Sequence, residues 1–128
     1  MTGLPTPPHL THSDFSASHV YLTAKTTTVL DWDAWSVGDR AEDAGRFLAS
    51  PRHLAARDPA RRGAVAGEAE AFARTYQAAA PLAGRSLAFY EALACLRTAT
   101  RLMPDGKTRR ARHAEALLAA GEQALLAP

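Results

Sequence analysis

Cysteine is almost absent from this chain. Cys95 stands alone, which excludes an internal disulfide and suits a reducing compartment, the cytoplasm. Lysine is nearly as scarce: Lys25 and Lys107 are the only two, so arginine carries the positive charge. The net charge of +2 and the pI near 9.0 are too mild a basic balance to imply a nucleic-acid surface. No apolar run approaches the ~20 residues that a membrane-spanning helix needs, and the first residues have neither the basic start nor the apolar stretch of an export signal. The eight glycines are scattered at positions 3, 38, 45, 63, 67, 84, 106 and 121, so no glycine-rich phosphate loop is written into the chain. What remains is ordinary globular composition, 47% hydrophobic and 22% charged over 128 residues, expected to form a single domain spanning 1–128.

The chain divides into three stretches by pattern. Residues 1–10, with Gly3, Pro5, Pro7 and Pro8, read as an extended lead-in. Residues 11–43 hold the polar motifs and, within them, a short hairpin: Val20-Tyr21-Leu22 and Thr26 to Leu30 are β-branched and aromatic, with Thr23-Ala24-Lys25 between them. A lone hairpin is marginal and must pack on helices. Residues 44–128 supply them.

Asp39 caps the first helix, which is expected to run to about Ala49, with Glu42 completing a capping box. On it Asp43 and Phe47 share a face. After Ser50-Pro51 an Arg-rich link leads to a helix from about Pro59 to Pro81 bearing Val65, Ala69, Phe72 and Tyr76. A further stripe of Phe89, Leu93, Leu96, Thr100 and Met103 predicts the next helix, ended by Pro104-Asp105-Gly106. The last helix presents Ala114, Leu117, Leu118, Gly121 and Leu125. The fold class is therefore α+β, mostly helical, with a short β-hairpin and about four helices.

The chemistry lies in His12-Ser13-Asp14-Phe15-Ser16-Ala17-Ser18-His19 and in Val29-Leu30-Asp31-Trp32-Asp33. Asp14 and Asp31 flank the hairpin, so its turn brings two carboxylates to one small polar site. Phosphoryl transfer asks for such a layout, with one carboxylate at the acceptor hydroxyl and another on a divalent cation between the phosphates. Taken singly, Asp14 is as readily a turn-capping loop residue, Asp31 a strand-end residue facing water, Asp33 a solvated neighbour near enough to be a second ligand, and His19 either a metal ligand or a filler of a polar niche.

Three motifs in order resemble those of the aminoglycoside phosphotransferase family, whose members are kinase-like enzymes acting on small molecules. The first, from His12 to His19, is similar to the catalytic loop His-Gly-Asp-x-x-x-x-Asn; Leu30-Asp31-Trp32 is similar to Ile-Asp-Trp; and Gly38-Asp39 through Asp43 is similar to Gly-Asp-x-x-x-Asp. Ser13 stands where the family has Gly, Ser16-Ala17-Ser18 where it has His-Pro-Gly, and His19 where it has the metal-binding Asn.

The resemblance implies a protein-kinase-like C-terminal lobe that transfers the γ-phosphoryl group of ATP, with Mg²⁺, to a small-molecule hydroxyl. It implies Asp14 as catalytic base, Asp31 as principal metal ligand, His19 as second ligand, Asp33 as an additional one, and His12, Ser13, Asp39 and Asp43 as loop support. It further implies an N-terminal lobe with a glycine-rich loop and a strand lysine. Neither pattern occurs in this sequence, so a truncated lobe that needs the missing N-terminal lobe is expected, with a second chain as one possible source of it and a natural short protein, a fragment or half of a split enzyme all left open. Two alternatives stand beside it: a non-catalytic binding or interaction module built on the same lobe, and a metal-dependent hydrolase using His12, Asp14, His19 and Asp31 together.

Other residues carry weaker signals. The cluster Arg109, Arg110, Arg112 and His113 reads as a solvated helix face, with anion attraction the alternative. Trp32, Trp35 and Tyr90 read as core, with substrate stacking the alternative, and Cys95 as an inert buried thiol. Aminoglycosides are cationic and call for acidic clusters, whereas the helices after Asp43 carry only scattered Glu68, Glu70, Glu91, Glu115 and Glu122. The acceptor class stays open.

Overall fold

A computed structural model describes residues 7–82, 85–102 and 108–126, with the side chains of 108–110 left aside. Met103, Pro104-Asp105-Gly106 and most of the lead-in lie outside the described residues. The elements run β1 (His9–Thr11), β2 (Val20–Leu22), β3 (Thr27–Val29), β4 (Ser36–Gly38), α1 (Arg40–Arg57), α2 (Arg62–Ala79), α3 (Ser86–Leu102) and α4 (Thr108–Leu126). Short 3₁₀ turns precede β2 at Ala17–His19 and α2 at Pro59–Arg61.

The hairpin forms as the β-branched runs require: β2 pairs antiparallel with β3, Val20 opposite Val29 and Leu22 opposite Thr27. Thr23 closes it, its hydroxyl accepting from the Thr26 amide at 2.9 Å and the Lys25 amide at 3.2 Å. A second two-stranded pair, β1 with β4, joins Thr11 to Ser36 and His9 to Gly38. It corrects the extended lead-in at its C-terminal end, since His9 and Leu10 are already strand. This pair delivers the chain into the loop at His12 and, from the other strand, into the cap of α1.

Asp39 caps α1, its carboxylate accepting from the Ala41 amide at 2.9 Å. Glu42 does not complete a capping box. Its side chain instead accepts from Arg46, one helical turn on, at 3.2 Å. The helix also continues past Ala49 and through Pro51 to Arg57. Proline there removes one intrahelical donor, and tertiary contacts offset the loss: Arg52 Nε donates to the buried Glu91 carboxylate at 2.9 Å, Ala56 packs on the core, and His53 lies against His113 with ring centroids 4.6 Å apart.

The core is built largely of small residues. Ala49, Ala94, Cys95, Ala99, Ala114 and Leu117 form one buried cluster where α1, α3 and α4 meet. On α3 this corrects the expected stripe, because Phe89 and Leu96 are exposed while Ala94, Cys95 and Ala99 face inward. On α4, Ala114 and Leu117 are buried as expected, whereas Leu118 and Leu125 are exposed. At Gly45, α1 and α3 approach so closely that a side chain there would meet the Tyr90–Glu91 backbone at 2.6 Å. Cys95 is fully buried, and burial, with Glu91 nearby, pushes its thiol up to about 12, which keeps it protonated and inert.

Candidate active site

Asp43 of α1 organises the loop from His12 to His19. Its two carboxylate oxygens accept from consecutive backbone amides, His12 at 2.6 Å and Ser13 at 2.8 Å. Ser13 has φ of 64°, the left-handed conformation that favours glycine. The strain of ~1 kcal/mol that a side chain incurs there is offset by the bond to Asp43 and by two hydroxyl contacts, to Ser36 at 2.7 Å and Thr11 at 3.0 Å. Phe15 then stacks on Phe47 of α1 at 5.0 Å, and Phe47 on Phe72 of α2 at 4.3 Å. With both flanks anchored, Asp14 between them points outward.

His12 is 1% exposed, and both ring nitrogens are engaged. Nε2 lies 2.8 Å from the Leu30 carbonyl, which can only accept, so Nε2 carries the proton and Nδ1 accepts from the Asp14 amide at 3.3 Å. One neutral imidazole thus ties Asp14 directly and Asp31 through its predecessor. Trp32 covers the ring at 4.7 Å and His19 stacks nearly parallel at 5.7 Å. His12 therefore has no nitrogen left for a metal, which removes it from the four-ligand hydrolase site.

Asp31 also has φ of 64°, a conformation that aspartate tolerates better than most residues. It turns the carboxylate back toward the loop. His19 Nδ1 donates to the Asp14 carbonyl at 2.9 Å, which leaves Nε2 aimed at Asp31 Oδ2 across 3.5 Å. A neutral ring puts two acceptors face to face there, an arrangement that a proton or a cation between them resolves. Ligand atoms of Asp14, His19 and Asp31 lie within 4.8 Å of one another. This donor set, two carboxylates and an imidazole, fits a divalent cation of the Mn²⁺ or Mg²⁺ kind.

The other residues singled out in the sequence lie as follows. Asp33 is exposed and stands outside the three-residue group. Asp39 serves the cap of α1. Trp32 and Trp35 are not core: they are 44% and 60% exposed on the hairpin side, where the Trp32 indole donates to the Val29 carbonyl at 3.1 Å. Tyr90 is partly buried, and its hydroxyl is pushed above the usual range by burial. In the arginine cluster, Arg112 is exposed, His113 packs on His53, and the side chains of Arg109 and Arg110 lie outside the described residues.

Sequence reasoning missed the wall beside Asp14. A cleft of about 350 Å³ opens there, lined by Asp14, Ser16 and Ser18 on the loop side and by Arg46, His53, Arg97 and Arg101 from α1 and α3. Arg46 Nη1 lies 3.9 Å from Asp14 Oδ1, and Arg46 and Arg97 share Glu42, at 3.2 and 3.6 Å. The signal available was the spacing of Arg97 and Arg101 one turn apart, but nothing local says which helix they would face.

Among protein families, the model described as the phosphotransferase enzyme family matches residues 3–90. The chain belongs to that family. The match covers the loop from His12 to His19, the hairpin, α1 and α2, and reaches the start of α3. Neither the curated proteins nor the solved structures contain a significant match.

Proposed function

We propose that this site takes part in ATP-dependent phosphoryl transfer to a hydroxyl of a small molecule, with Asp14 as base and Asp31 and His19 as the cation ligands. The observation that carries the reading is the convergence of Asp14, His19 and Asp31 within 4.8 Å, although the whole hairpin separates the first two from the third. A carboxylate held out of a rigid loop, 56% exposed and bordering a cleft, is placed to accept and orient the proton of a bound hydroxyl. Arg46 steadies that carboxylate from α1. His12, Ser13 and Asp43 fix the loop backbone, and Asp39 fixes the helix that carries Asp43.

Asp31 and His19 would hold the Mg²⁺ that the family generally uses with ATP, and the bound ion would neutralise charge on the β- and γ-phosphate oxygens. The imidazole in place of a hard oxygen ligand moves the preference toward Mn²⁺. That substitution also favours a second reading, a lobe that binds without turnover.

Calorimetric titration with ATP, in Mg²⁺ and then in Mn²⁺, tests the proposal. Saturable binding that needs the cation is expected, tighter with Mn²⁺, and weakened at least about tenfold in Asp31→Ala. Absence of binding at millimolar nucleotide, or binding indifferent to Asp31, would refute it.

A further inference from the structure

We infer that the cleft beside Asp14 receives an anionic acceptor, a small hydroxylated carboxylate or phosphate ester, with its anionic end on Arg97 and Arg101. The inference rests on the reading of Asp14 as the base and adds the class of molecule whose hydroxyl it would meet.

Position comes first. The cleft is lined by Asp14, Ser16 and Ser18 but by neither His19 nor Asp31. It therefore opens from the base away from the cation ligands and descends between α1 and α3. A volume of about 350 Å³ is at the small end of ligand pockets, room for a compact hydroxy acid or sugar phosphate.

Charge comes second. Arg46, Arg97 and Arg101 line the cleft against a single lining carboxylate, Asp14. Behind them Glu42 serves both Arg46 and Arg97, and its contact with Arg97 is long, 3.6 Å. Arg101 makes no ion pair or hydrogen bond among the described residues. Three guanidiniums facing two carboxylates leave a net positive wall even with Glu42 included. His53 adds little positive charge to this wall, because burial, then His113 and Arg57, holds its imidazole below the usual range.

Arg97 and Arg101 sit one turn apart on the same face of α3, a spacing that lets two planar forks address one carboxylate or phosphate. Ser50 and Thr98 also line the cleft. A cationic acceptor would bring its ammonium against this wall, and like charges at close range exclude it.

The test uses the full chain with 3-phosphoglycerate, glycerol and choline as probes, by calorimetry at low salt. Saturable binding of 3-phosphoglycerate is expected, with glycerol and choline at least about tenfold weaker and affinity falling as salt rises. The double variant Arg97→Gln/Arg101→Gln, changed on an exposed helix face and checked by thermal unfolding, should lose about tenfold or more in 3-phosphoglycerate affinity. Its ATP binding should stay intact. Asp31→Ala should show the reverse pattern, so failure of the acceptor claim and failure of the nucleotide claim leave different signatures. The inference is overturned by any of three results: choline bound as tightly as 3-phosphoglycerate, undiminished anion binding in the double variant, or competitive displacement of the anion by ATP.

Discussion

Gly45→Ala is expected to lower stability by about 2–3 kcal/mol and the thermal midpoint by roughly 10 °C. A Cβ at position 45 would lie 2.6 Å from the Tyr90 carbonyl carbon, the Tyr90 Cβ and the Glu91 amide nitrogen. Two of these are backbone atoms, so no rotamer change relieves the clash and α3 itself must move. Alanine's better helix propensity returns only about 1 kcal/mol. Gly63, with nothing within 4 Å of its would-be Cβ, is the control: Gly63→Ala isolates the propensity gain and should raise the midpoint slightly. Because α1 carries Asp43 and Arg46 while α3 carries Arg97 and Arg101, moving the two helices apart also widens the cleft beside Asp14. Thermal unfolding of the two variants side by side checks both signs.

Asp43→Asn is expected to unseat the loop from His12 to His19 while leaving the helices folded. Both oxygens of Asp43 accept from backbone amides, His12 and Ser13, and His12 is buried. A carboxamide keeps one acceptor and turns an NH₂ group toward the other N–H, so one amide loses its partner and meets a donor. Hydrogen bonds to a charged acceptor are worth about 1.5–3 kcal/mol each, and the strained Ser13 depends on one of them. The expected cost is about 3 kcal/mol, felt mainly in the loop. Hydrogen exchange should show the His12 and Ser13 amides opening by two orders of magnitude or so, with the amides of α3 and α4 unchanged. Uniform loss of protection would mean that the loop and the helical core unfold as one unit.

The motifs from His12 to Asp43 were legible because their chemistry is local. A cap at Asp39 and a hairpin of β-branched residues each depend on spacings of a few residues. The β1–β4 pair was not legible, since three-residue strands at 9–11 and 36–38 carry no period and are joined only by the fold. Nor was the continuation of α1 through Pro51, where tertiary contacts override a local breaker. On α3 the larger side chains pointed to the wrong face: Phe89 and Leu96 stay outside while the small Ala94, Cys95 and Ala99 pack in the core against Ala49 and Leu117. That same inversion turns Arg97 and Arg101 toward Asp14, so the basic wall could be seen only once the helices were in place.

The central claim is that His19 and Asp31 together hold one divalent cation beside the base Asp14, and Mn²⁺ titration followed by electron paramagnetic resonance tests it most directly. The account predicts saturable Mn²⁺ binding with a hyperfine coupling to an imidazole nitrogen, lost in His19→Asn, and an affinity that drops about tenfold or more in Asp31→Ala. Mn²⁺ bound without nitrogen coupling, or with the same affinity when Asp31 is removed, would contradict it.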